Sequence, residues 1–154
     1  MSTAQQILQK RDGRKQAYST SKIERFLTDL IRKRPALSSC SPQKVATQVA
    51  STMSANMTTM DLATYLSEVC AALTVTHWHY GALGGRILVS MLHKSTAATF
   101  TEYVCSMDTF GAGFVATCRE HGAELDSMIR HERDYQYDIM GFKTMERSYL
   151  LRKN

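Results

Sequence analysis

Apolar residues recur at helical spacing through most of the first ninety-odd positions. Ile23, Phe26, Leu27, Leu30 and Ile31 stand at i, i+3, i+4, i+7 and i+8, which predicts an amphipathic helix with one buried stripe. Ser21-Lys22-Ile23-Glu24 has the form of a capping box at its start, and Pro35 stops it near Arg34. Ser41 and Pro42 supply an N-cap and a first-turn proline for a second helix, with Val45, Val49 and Met53 inward. A third helix is predicted to begin at Thr58-Thr59, because Thr58 with Asp61 fits a cap, and to carry Leu62, Leu66, Val69 and Leu73 to an end near Trp78. A fourth opens around Tyr80 and lines up Leu83, Ile87, Leu88, Met91 and Leu92, while Gly81, Gly84 and Gly85 admit a closely packed neighbour at some cost in helix propensity.

Ahead of these helices, Asp12-Gly13 sits between two short segments and signals a hairpin turn. Beyond Lys94 the periodicity weakens. Phe100, Tyr103, Val104 and Met107 suit one helix, Gly111 and Gly113 a loop, and Phe114, Val115, Cys118, Leu125, Met128 and Ile129 another. From Gly141 onward, Lys143, Glu146 and Arg147 interleave with Thr144, Tyr149, Leu150 and Leu151. Gly141-Phe142 is expected to reset the backbone, leaving a stretch suited to docking on a larger surface. The expected fold is mainly α: a short N-terminal β-hairpin packed on a four-helix bundle (residues 1–95), then a further helical segment and an extended C-terminal linker (residues 96–154).

A chain of 154 residues with 44% hydrophobic content and two prolines can bury one core. It has no apolar run long enough for a signal peptide or a membrane span, so a soluble, cytoplasmic protein is expected. Cys40, Cys70, Cys105 and Cys118 form no C-x-x-C pair and are expected as buried free thiols. His77 and His79 are two residues apart, a spacing that on a helix points them to different faces, so neither is assigned to a metal. The nine methionines are spread over the apolar faces as core filling.

The net charge of +5 is unevenly placed. Residues 1–34 hold nine Lys/Arg against three Asp/Glu, whereas residues 35–154 hold ten against eleven. An N-terminal excess of this kind suits a phosphate group or a nucleic-acid backbone, or is simply a solvated basic face. Lys10, Arg11, Arg14 and Lys15 fall on the hairpin, Lys22 in the first turn of the first helix, and Thr58 and Thr59 at a helix N-terminus, where free N–H groups and the positive dipole end attract anions. Together they outline a triphosphate cradle. The sequence contains neither G-x-x-x-x-G-K-[ST] nor G-x-G-x-x-G, which excludes a P-loop and a dinucleotide fingerprint.

Leu8-Gln9-Lys10-Arg11-Asp12-Gly13-Arg14, Ser21-Lys22-Ile23, Thr58-Thr59, the run from Arg86 to Lys94 and the run from Glu132 to Leu151, in that order, resemble the ATP-cone that opens the large subunit of class I ribonucleotide reductase and the stretch that leads from it into the catalytic barrel. The resemblance implies an allosteric region that binds ATP or dATP, switching the reductase on or off and so serving deoxyribonucleotide synthesis for DNA replication. It places Lys10, Arg11, Lys22 and Lys94 on the phosphates and Thr59 against the nucleotide. Gln16 stands where the family usually has a Glu facing the adenine, and Ala63 where it has an Asp or His reaching the nucleotide. Magnesium accompanies the nucleotide in this picture, with no protein-bound metal. The implied partners are adenine nucleotides, other reductase large subunits and, through them, the small radical-generating subunit; no membrane or nucleic acid is implied. None of the four cysteines stands in the context of the family's reactive cysteines, so no catalytic residue is assigned and the chain alone is expected to be inactive. Two other readings follow: a non-catalytic fragment that modulates reductase assembly, and a basic nucleic-acid-binding module, which would lack the zinc ribbon of repressors bearing this domain.

Overall fold

The computed structural model describes residues 7–10, 13–54 and 56–151. Strands β1 (Ile7–Gln9) and β2 (Lys15–Ala17) pair antiparallel, with Leu8 opposite Gln16. At the turn the Gly13 N–H donates to the Lys10 carbonyl at 2.9 Å and the Lys10 N–H to the Arg14 carbonyl at 2.8 Å. Gly13 has φ +79°, the left-handed backbone that makes glycine the residue of choice there. The hairpin is as the sequence predicts, although Asp12 and Arg11 lie outside the described residues. A third strand, β3 (Met57–Thr58), runs parallel to β1. Two residues are too few to show strand alternation, so the sequence pattern does not announce it.

Four helices follow the hairpin. The first, α1 (Thr20–Arg32), starts and stops earlier than expected. Its N-cap is Ser19, and the Ser19 hydroxyl bonds to the Ser21 hydroxyl at 2.9 Å instead of capping an N–H; the Ser21–Glu24 box does not form. Helix α2 (Pro42–Thr52) opens as predicted, with the Lys44 N–H donating to the Ser41 hydroxyl at 3.2 Å. Helix α3 (Thr59–Leu73) carries the reciprocal box of Thr58 and Asp61 but ends at Leu73, well short of Trp78. Helix α4 (His79–Ser95) runs back alongside it.

Leu27, Val45, Val49, Leu66, Leu83 and Ile87 are at most 1% exposed and form the centre of the core. Each such side chain contributes about 1.5–3 kcal/mol of burial. Arg86, also 1% exposed, stands among them as a charged residue. Its guanidinium donates to the carbonyls of Leu30 (2.7 Å), Lys33 (3.0 Å), Pro35 and Tyr135 (3.1 Å). It thereby satisfies the open carbonyl end of α1 from a neighbouring helix, and burial lowers its pKa from the usual arginine value.

Beyond α4 come α5 (Phe100–Cys105), α6 (Ala112–Glu120), α7 (Gly122–Met128), a 3-10 helix (His131–Gln136) and α8 (Ile139–Ser148). The last of these corrects the expected extended linker. Asp138 caps α8 by accepting the Gly141 N–H at 2.7 Å, so Gly141 lies in a first helical turn and does not reset the chain. Ile139 and Phe142 are buried. The close neighbour that Gly84 and Gly85 admit is this same segment: a Cβ on Gly85 would collide with the Tyr137 carbonyl and the Asp138 backbone, and one on Gly84 with the Ile139 side chain. Cys70 and Cys118 are buried free thiols as expected, but Cys40 and Cys105 are only partly buried. Among the described residues no helix is long and apolar enough to cross a membrane. The fold class is mainly α with N-terminal strands, as expected.

Candidate functional site

A cavity of about 200 Å³ lies between the hairpin, α1, α3 and α4. Leu8, Phe26, Leu62, Leu66 and Met91 provide apolar walls, and Gln16, Lys22, Thr59, Ala63 and Lys94 also line it. Each polar side chain arrives there for a local reason. The β1–β2 register sets Gln16 beside Leu8. Lys22 belongs to the first turn of α1, while Thr59 and Ala63 are one turn apart on α3. Lys94 lies in the last turn of α4, with its Nζ 5.1 Å from the centre of the Phe26 ring, within cation–π range.

Of the six residues singled out from the sequence, the structure therefore gathers Gln16, Lys22, Thr59 and Lys94 around one space. Lys10 sits at the hairpin turn and is not part of the lining. Arg11 falls outside the described residues.

The two helix N-termini at this cavity differ in charge. The α3 N-terminus is already occupied by its own carboxylate: Asp61 accepts the Thr58 N–H at 3.1 Å and the Thr58 hydroxyl at 2.7 Å, and these bonds hold its pKa below the usual aspartate value. A negative charge so placed disfavours a phosphate at that helix end. The α1 N-terminus carries no such charge. It has no acidic residue in its first turn and no side-chain cap, and Ser19, Lys22 and Ile23 all line the cavity.

A larger cavity, about 470 Å³, lies on the other side of α4, against α5, the 3-10 helix and α8. His93, His131 and Asp134 line it together. Sequence reasoning did not find them, because His93 and Asp134 are 41 residues apart and no local spacing links them. The expected divergence of His77 and His79 also fails. Both lie where α3 gives way to α4, and their ring centres are 4.4 Å apart, edge to face.

Residues 7–95 match the ATP cone domain, and the chain belongs to that family. Nearly the whole chain is also similar to ribonucleoside-diphosphate reductase large subunits. It is 36% identical over 159 residues to that of Dictyostelium discoideum, covering 94% of this chain and 18% of the relative. It is 38% identical over 157 residues to that of Arabidopsis thaliana, covering 93% and 19%. Against large chain 2 of Saccharomyces cerevisiae it is 34% identical over 161 residues, covering 94% and 18%. The chain thus spans about a fifth of the length of these curated relatives.

Proposed function

We propose that the cavity between the hairpin, α1, α3 and α4 binds ATP or dATP as an allosteric effector, and that the chain acts as the regulatory end of a ribonucleoside-diphosphate reductase large subunit. The observation that carries this reading is the meeting of Gln16, Lys22, Thr59 and Lys94 on one cavity inside the stretch that matches the ATP cone domain.

At about 200 Å³ the cavity is smaller than the ~300–1,000 Å³ of pockets that enclose a whole ligand. It suits a base and part of a ribose, with the triphosphate running out along the rim. The base packs on Leu8, Phe26 and Leu62, and the Gln16 amide, which both donates and accepts, pairs with the polar edge of adenine. Lys22, Lys94 and the first N–H groups of α1 take the phosphates, and Lys10 approaches them from the hairpin turn; Arg11, which the resemblance also assigns to the phosphates, lies outside the described residues. Magnesium travels with the triphosphate.

This chain's own residues bind and signal, and the reduction of ribonucleotides belongs to sequence that its relatives carry elsewhere. Residues 96–154 then act as the connector to the rest of the large subunit. Met140, Tyr149 and Leu151 are 72%, 69% and 55% exposed, which fits a surface that meets further protein. Effector binding would change how large subunits assemble with one another and so with the radical-generating small subunit, setting deoxyribonucleotide supply for replication. A fragment that perturbs assembly uses the same site and surface.

Thermal denaturation with added nucleotides tests the base preference. A ligand at a hundred times its Kd stabilises the native state by about 2.7 kcal/mol. ATP and dATP should raise Tm while CTP and UTP leave it close to the unliganded value; equal shifts with all four would reject an adenine site.

A further inference from the structure

His93, His131 and Asp134 set three metal-type donor atoms at one wall of the larger cavity, a different surface of α4 from the proposed nucleotide site. His93 lies in the last turn of α4. His131 and Asp134 are three residues apart on the 3-10 helix, whose three-residue turn stacks such positions on one side. The His93 Nε2 atom is 2.8 Å from Asp134 Oδ2, and His131 Nδ1 is 3.6 Å from the same oxygen. All three donors lie within 4.8 Å of one another.

Metal–ligand bonds of about 2.0–2.2 Å in a tetrahedron separate the ligand atoms by roughly 3.3–3.5 Å. The two observed separations from the carboxylate bracket that value. The His131 side chain is 55% exposed, so it can turn inward without disturbing the core. The imidazole rings of His93 and His131 meet at 75° and do not stack, which leaves their donor nitrogens able to converge on one ion.

We propose that His93, His131 and Asp134 form a site for a divalent transition cation of the zinc class. Two imidazoles and one carboxylate favour such an ion over magnesium, which prefers oxygen ligands. Three protein ligands leave a fourth position for water or for an anionic group, and the cavity that all three residues line gives that position space. The ion would clamp the C-terminal turn of α4 to the segment leading into α8. Lys94, on the nucleotide cavity, is the residue next to one of its ligands.

The test uses the chain after chelator treatment, titrated with Zn²⁺ by calorimetry and with Co²⁺ by visible absorption. The expected result is one ion per chain, a cobalt spectrum without sulfur-to-metal charge transfer, and no displacement by excess Mg²⁺. His131→Ala and Asp134→Asn should each weaken Zn²⁺ binding by about tenfold or more, with circular dichroism unchanged. Absence of stoichiometric binding would overturn the proposal. So would full affinity in both variants, a thiolate charge-transfer band, or binding that is lost in His77→Ala and kept in His131→Ala.

Discussion

The Arg86 guanidinium donates to the Leu30 carbonyl at 2.7 Å, tying the middle of α4 to the last turn of α1. Lys33, Pro35 and Tyr135 offer their carbonyls to the same group. Replacing Arg86 with Met leaves the buried Leu30 carbonyl and the partly buried carbonyls of Lys33, Pro35 and Tyr135 without this donor, at a cost of about 1–3 kcal/mol for each that water cannot reach. Urea denaturation of Arg86→Met should show a loss of about 3 kcal/mol or more. Arg86→Lys should recover little, because one ammonium cannot reach four carbonyls spread over two segments.

Gly85 offers a second test of how the C-terminal segment is seated. Alanine is favoured over glycine by about 1 kcal/mol in a helix interior, yet here its methyl would meet the Tyr137 carbonyl and the Asp138 backbone. Backbone cannot yield as a flexible side chain can. Gly85→Ala should therefore lower stability by about 1–3 kcal/mol and raise proteolysis near residues 137–139. Gly81→Ala, whose methyl would meet only Thr74 at an ordinary 3.5 Å, should be neutral or slightly stabilising in the same denaturation series.

The box formed by Thr58 and Asp61 predicts a particular pH dependence. The Asp61 pKa is lowered in the folded state by the two hydrogen bonds from Thr58. Its contribution is therefore present above the unfolded aspartate pKa and is lost as pH falls through the lowered folded value. Thr58→Ala should reduce Tm near neutral pH, and the gap from the parent should shrink on acidification through the carboxylate range. A gap independent of pH would mean that the carboxylate takes no part in capping α3.

Ala63 lines the proposed nucleotide cavity one turn after Thr59 and is 4% exposed. A carboxylate there would face whatever part of the ligand lies against α3. A hydrogen bond from a ribose hydroxyl to a charged acceptor contributes about 1.5–3 kcal/mol before desolvation is subtracted. Ala63→Asp should therefore change the ratio of ATP to dATP affinity measured by competition. An unchanged ratio in a folded variant would place the sugar away from α3.

How far these features were legible in the sequence depends on the range of the interaction. Thr58 with Asp61, and Ser41 with Pro42, act within one turn, and both caps are where the pattern puts them. Ser21 with Glu24 fits the same pattern but fails, because Ser19, Thr20 and Ser21 all offer cap chemistry and the helix begins at the first of them. The C-terminal helix was hidden by Gly141, whose place in a first turn depends on Asp138 capping it. In the site, helical spacing relates only residues of the same helix, such as Thr59 and Ala63. Gln16, Lys22 and Lys94 come from three other elements; charge grouped Lys22 with Thr59, and the family resemblance added Gln16 and Lys94. Arg86 gave no signal of burial, since its four acceptors are backbone carbonyls that no side-chain pattern records.

The central claim is that Lys22 and Lys94 hold the phosphates of an adenine nucleotide on the cavity they share with Gln16. Calorimetric titration of ATP into the parent chain, Lys22→Ala and Lys94→Ala tests it most directly. The account predicts one site in the parent and a loss of at least about 1 kcal/mol in each variant, the scale of a charge-assisted hydrogen bond. Both losses should shrink as salt concentration rises. Unchanged ATP affinity in both variants, with the fold intact, would contradict it.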